Sequence, residues 1–75
     1  MEISLDRLCL GQLGVVTHVD TSDHMKKRLQ AFGMVPGTQV RCRYCSPNCS
    51  VMALEFRGAV VALRTRDMQK IMVES

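Results

Sequence analysis

The stretch from Thr21 to Gly37 limits what the rest of this chain can become. Thr21-Ser22-Asp23 supplies N-cap chemistry, and Met25, Leu29 and Phe32 follow at spacings of four and three, which places them on one face of a helix. Gly33 stands where a left-handed C-cap residue is needed, and Met34 can make the apolar contact that accompanies such a cap. Pro36-Gly37 then blocks continuation and favours a type II turn. The helix stops sharply and hands over to a strand. No other segment reads as clearly helical.

The size of the chain turns that feature into a constraint on architecture. In 75 residues there is room for one compact domain, residues 1–75, and a two-domain enzyme is excluded. A single core in so short a chain supplies about 3 to 5 kcal/mol, so its interior is committed to holding the fold and little remains for a deep pocket. With 47% hydrophobic residues and a net charge of +3, the chain is too apolar to stay disordered.

What surrounds the helix reads as short strands. Ser4 to Cys9 can make one turn of helix with Ser4 as N-cap, Leu5 and Leu8 inward and Gly11 closing it. Val15 to Val19 is rich in β-branched residues, with a bulge or bend expected near Gly14. Thr38 to Tyr44 alternates, with Val40, Cys42 and Tyr44 on one face and Gln39, Arg41 and Arg43 on the other. Ser46-Pro47-Asn48 turns the chain into Val51 to Phe56, and Arg57-Gly58 into Ala59 to Leu63. That last run is apolar on both faces and suggests a central strand. Arg66 to Gln69 predicts one helical turn before a final strand, Ile71 to Val73. The expected fold is mainly β: a small SH3-like barrel of about five strands with one inserted α-helix, curled so that exposed edges disappear.

The longest apolar run, Ala59 to Leu63, is far below the roughly 20 residues needed to cross a bilayer, so no membrane insertion is expected. The acidic N-terminus, Met1 to Asp6, is not followed by the apolar stretch of an export signal, which makes the cytoplasm the expected location. Only Lys26-Lys27-Arg28 are contiguous basic residues, and Phe32, Tyr44 and Phe56 are the only aromatics. Both facts argue against nucleic-acid binding. No nucleophile, base and orienting group fall into a recognisable spacing, so no enzymatic activity is expected.

The run Arg28-Leu29-Gln30-Ala31-Phe32-Gly33-Met34-Val35-Pro36-Gly37-Thr38 resembles the signature of the ferrous iron transport protein A family, FeoA, with its pattern R-L-x-x-[apolar]-G-[apolar]-x-P-G-[ST]. Leu5, Leu8, Gly11, Gly14 and Val16 are similar to the family's opening, Arg57-Gly58 to its hairpin turn, Ala62-Leu63-Arg64 to its central strand, and Ile71 and Val73 to its last strand. The resemblance implies a small bacterial cytoplasmic accessory of the membrane ferrous-iron transporter FeoB, with an SH3-like fold, that docks on the transporter's nucleotide-binding part and modulates it. It brings no catalytic residue. A related domain ends iron-dependent repressors, where it follows a winged helix for which no sequence remains here.

For partner binding the residues point to Arg28 on the helix flank and to the basic strand face of Gln39, Arg41 and Arg43, joined by Arg57 and Arg64. Leu29, Phe32, Gly33, Met34, Pro36 and Gly37 are expected to be structural, with Met25, Leu29 and Phe32 in the core. The cysteines depart from the family. Cys42, Cys45 and Cys49, spaced C-x2-C-x3-C, offer thiolates for zinc or iron or for redox sensing, while Cys9 is expected in the core. Cys42 should face inward and Cys45 the opposite way unless the chain turns by Tyr44. His18 and His24, with Asp20 and Asp23, make an alternative but unspecific iron site. Self-association is left open.

Overall fold

The computed structural model describes residues 1–75. In chain order it contains β1 (Glu2–Ser4), a 3-10 turn (Leu5–Arg7), β2 (Leu13–Val19), α1 (Asp23–Phe32), β3 (Gln39–Cys45), β4 (Val51–Phe56), β5 (Ala59–Arg64), α2 (Thr65–Met68) and β6 (Ile71–Glu74). The six strands form one antiparallel sheet in the order β1-β6-β2-β3-β4-β5. Its concave side closes over Leu5, Leu29, Met34, Val40, Leu54, Met68 and Ile71, all at most 2% exposed. That curled, mainly β architecture is the expected SH3-like one.

Six strands replace the expected five or so because Glu2–Ser4 pairs with β6, Ile3 opposite Val73. Thr17 on β2 donates its hydroxyl to the Glu2 carboxylate, and His18 Nδ1 lies 3.3 Å from the same oxygen. These bonds, the hydroxyl first, hold the Glu2 pKa below the ordinary carboxylate value. A carboxylate depressed in the folded state contributes stability above the unfolded pKa and loses it as pH falls through the folded one. Glu2→Gln should therefore lower stability slightly at neutrality, where the carboxylate's contribution is fully present, and flatten the stability curve below about pH 4.5, so that the two proteins converge in acid. Superimposable acid-unfolding curves for the two proteins would contradict this.

The helix begins and ends as its sequence dictates. Ser22 accepts a hydrogen bond from the Met25 amide at its N-terminus, and Gly33 closes the C-terminus at φ 93°. Gly33 N–H reaches Gln30 O at 3.0 Å and Met34 N–H reaches Leu29 O at 2.9 Å, the pattern of a left-handed glycine cap. Thr38, 6% exposed, braces that cap by donating its hydroxyl to Gly33 O at 2.8 Å. Thr38→Val keeps the shape and removes the donor, and should cost about 1 to 2 kcal/mol in urea unfolding. A loss below a few tenths would show that water replaces the bond.

Several expectations are corrected. Ala59–Arg64 is an edge strand, not a central one: β5 pairs with β4 alone, and Val60 is 59% exposed. An apolar run on both faces marks a strand buried on both sides, or equally an edge strand with one side uncovered. Because β1 and β5 do not pair, the curl leaves two edges and does not remove them. The bend expected near Gly14 falls instead between Val16 and His18. Gly14 stays in register opposite Val40, and a Cβ there would meet Val73 Cγ2 at 3.2 Å, so closeness to β6 requires that glycine. Tyr44 is exposed because a bulge between Cys42 and Tyr44 turns it outward beside Ala53. Cys9 is exposed as well, since the 3-10 turn directs Leu5 and Leu8 inward and ends before it. Of the helix stripe, Leu29 is buried, Met25 half-buried and Phe32 exposed.

Candidate functional site

The exposure of Phe32 has a local cause. Residues 25, 29 and 32 fall within about 60° of one another round the helix, with Leu29 at one side of the stripe and Phe32 at the other. Leu29 is buried, while Met25 and Phe32, on the same side of it, line the gap toward the unpaired edge of the sheet. Between α1 and β5 lies a shallow groove of about 140 Å³. The helix contributes Met25, Arg28, Leu29 and Phe32 to it, the strand Ala62, Leu63 and Arg64, and α2 adds Asp67.

The groove is apolar along its floor and cationic at its rim. Arg28 forms no ion pair, and Arg64 Nε stands 3.6 Å from Asp67 Oδ2 with its own side chain 62% exposed, a contact that solvent largely screens. One wall is a strand hydrogen-bonded on one side only, which presents unpaired backbone groups to an incoming chain. The arrangement suits an extended segment that adds to the β5 edge, lays an apolar side chain against Phe32 and carries carboxylates toward Arg28 and Arg64.

The basic residues expected on one face are separated by the sheet register. Gln39, Arg41 and Arg43 all lie exposed on β3, yet Arg41 sits opposite Glu55 and Arg43 Nη1 is 3.3 Å from Glu55 Oε1. Glu55 thereby offsets part of that face's charge. Arg64 belongs to the other end of β5, four residues beyond Val60, or about 13 Å along the strand. Arg57 turns elsewhere: its side chain covers Gly33, where an added Cβ would stand 2.7 Å from Arg57 Cδ. Phe32, Ala62, Leu63 and Asp67 were not singled out as binding residues from the sequence. The available signal was the apolar run ending at Leu63, which has more hydrophobic surface than an edge strand needs.

The cysteines gather only in part. The bulge at Tyr44 brings Cys45, opposite Met52, to the same side as Cys42, opposite Leu54. Cys42 is buried and donates to Tyr44 O at 3.8 Å, and burial pushes its thiol pKa up. Cys49 is exposed in the turn, and its thiol, ahead of burial, pushes the Cys45 pKa up. No three of the cysteine, histidine and carboxylate side chains converge as a metal-binding set. His18 is turned to Glu2, and His24 lies exposed in the first turn of α1.

Six short antiparallel strands curled about one core, with a glycine-stopped helix laid beside the free edge, define a small SH3-like domain. The FeoA domain family model matches residues 3–75, and the chain belongs to that family. The FeoA protein of Chlorobium tepidum superposes with a TM-score of 0.91 at 22% identity, over 96% of this chain and 69% of that one. The zinc-complexed FeoA of Stenotrophomonas maltophilia, described as a prokaryotic SH3-domain protein, superposes at 0.83 with 26% identity, over 99% and 89%. IdeR of T. acidophilum shares the fold, with a TM-score of 0.85 and 15% identity over 97% of this chain but 33% of its own. No curated protein sequence matches the chain. No helix is long and apolar enough to cross a membrane.

Proposed function

We propose that this chain is a small cytoplasmic, non-enzymatic accessory of ferrous-iron transport that binds the cytoplasmic part of the FeoB transporter and modulates it. Membership of the FeoA family supports the transport context, and the S. maltophilia relative has been put forward as a factor that activates ferrous-iron transport. The observation that carries the binding role is the groove between α1 and β5, with Arg28 free of any carboxylate beside an unpaired strand edge. A module of this size acts through a difference in affinity between conformations of its partner. Equal affinity for every partner state would shift nothing.

The test is titration of the chain against the purified cytoplasmic domain of FeoB in nucleotide-free, GDP-bound and GTP-analogue-bound forms. Binding that differs by at least about fivefold between two forms, a coupling of about 1 kcal/mol, is the expected result. Absence of binding in all three would refute the partner. Equal binding in all three would refute modulation through nucleotide state.

A further inference from the structure

We propose that the docking described above, on which this reading rests, is made by strand addition: an extended, carboxylate-bearing segment of the partner pairs with the free edge of β5 through the backbone of Val60 and Ala62. The direction of the β5 backbone groups follows from the turn before it. Arg57 and Gly58 have φ 53° and 78°, both positive, so a two-residue type I′ turn joins β4 to β5. Such a turn closes with a bond from the N–H of its fourth residue to the C=O of its first, which makes Phe56 and Ala59 a hydrogen-bonded pair. Bonded and non-bonded pairs then alternate along the antiparallel ladder, and the register runs to Val51 and Arg64 without a shift.

The bonded pairs are therefore Phe56 with Ala59, Leu54 with Val61 and Met52 with Leu63. Thr65 N–H reaches Ser50 O at 2.9 Å, which is the next place in the same alternation. Ala59, Val61 and Leu63 thus turn their backbone groups to β4. Val60 and Ala62 turn theirs the other way, where β5 has no neighbour and no bond from a turn or loop reaches them. Both residues are exposed.

Other modes of peptide capture do not fit this edge. A polyproline helix needs a groove lined by several aromatic rings, but Phe56 is buried, Tyr44 is turned outward beside Ala53, and Phe32 alone lines the groove. An α-helix is about 10 Å across and needs more room than about 140 Å³. A second copy of the chain would bring another β5, which has an arginine and no carboxylate, against the same cationic rim.

An added strand continues the alternation of side chains. Its residues level with Val61 and Leu63, which pack against the core, face α1. There Arg28 and Phe32 stand one turn apart, about 6 Å along the helix, and both line the groove. Alternate residues of a strand are roughly 6.6 Å apart. The segment that fits carries an apolar residue and an aspartate or glutamate two positions apart, the first against Phe32 and the second at the Arg28 guanidinium. A carboxylate on its other face meets Arg64, whose contact with Asp67 at 3.6 Å is screened by solvent.

Amide hydrogen exchange of the isotope-labelled chain, resolved residue by residue, is followed alone and with the purified cytoplasmic domain of FeoB. Alone, Val61 and Leu63 should exchange slowly and Val60 and Ala62 fast. Saturation with the domain should slow Val60 and Ala62 by at least about tenfold. Ala62→Pro removes an outward N–H and spares the β4 ladder, so it should stay folded and bind at least about tenfold more weakly. Binding that leaves exchange at Val60 and Ala62 unchanged, or a folded Ala62→Pro that binds like the parent, would overturn strand addition and leave the partner in place. No binding at all would overturn both. Slowing of these two amides as the chain alone is concentrated would give the edge to a second copy and overturn the acidic segment.

Discussion

Gly33→Ala should lower the stability of this protein by about 2 to 3 kcal/mol, of which about 1 to 2 is the cost of a left-handed residue with a Cβ. The rest comes from Arg57, whose Cδ would stand 2.7 Å from the new methyl group and must move. For a chain of this length the whole folding free energy is on the order of 4 to 11 kcal/mol, so one methyl group removes a large part of it. The melting temperature should fall by roughly 10 to 20 °C.

Gly37→Ala is the internal control. That glycine also has positive φ, at 96°, but nothing lies within 4 Å of the position its Cβ would take. It should lose the conformational part alone. Placing each substitution in an Arg57→Ala background then isolates the crowding: the gap between the two glycine variants should close when the arginine side chain is shortened. Equal losses at positions 33 and 37 in the unaltered background would show that Arg57 yields freely and only backbone geometry matters.

The same corner of the molecule shows why some of the architecture was legible in the sequence and some was not. Helix start and stop are local chemistry: Ser22, Gly33 and Pro36 act on backbone groups within a few residues, so their types suffice to place α1. The alternation of β4 is local too, and Met52, Leu54 and Phe56 are buried as their period requires. The strand Glu2–Ser4 has three residues and exists because β6, some seventy positions later, offers an edge. No period can be read from three residues. The bulge at Tyr44 is likewise invisible, since an extra residue in β3 is defined only against its partner β4.

The site divides along the same line. Arg28 was found because it lies on a well-defined helix beside a buried leucine. Its grouping with Arg64, and the separation of both from Arg41 and Arg43, depend on which strand ends at the sheet edge. The charge of Arg43 in the sequence gives no sign that Glu55 will face it.

The groove makes its largest prediction at those two arginines. Arg28→Glu with Arg64→Glu should weaken binding to the FeoB cytoplasmic domain at least tenfold, or about 1.4 kcal/mol, and should make the remaining binding less sensitive to salt. Both residues are exposed and neither belongs to the core, so the double variant should fold and melt like the parent. Phe32→Ala, at the exposed end of the helix stripe, should weaken binding further through loss of apolar contact and leave the salt dependence intact. Arg41→Glu with Arg43→Glu serves as the comparison. Glu55 already offsets part of their charge, and they lie on the outer face of β3, so a smaller loss is expected, mostly in the association rate. The reverse ranking would move the docking surface from the helix edge to the outer face of the sheet. If instead the Arg28 and Arg64 reversal altered self-association of the chain and not transporter binding, the unpaired β5 edge would be the seam between two copies.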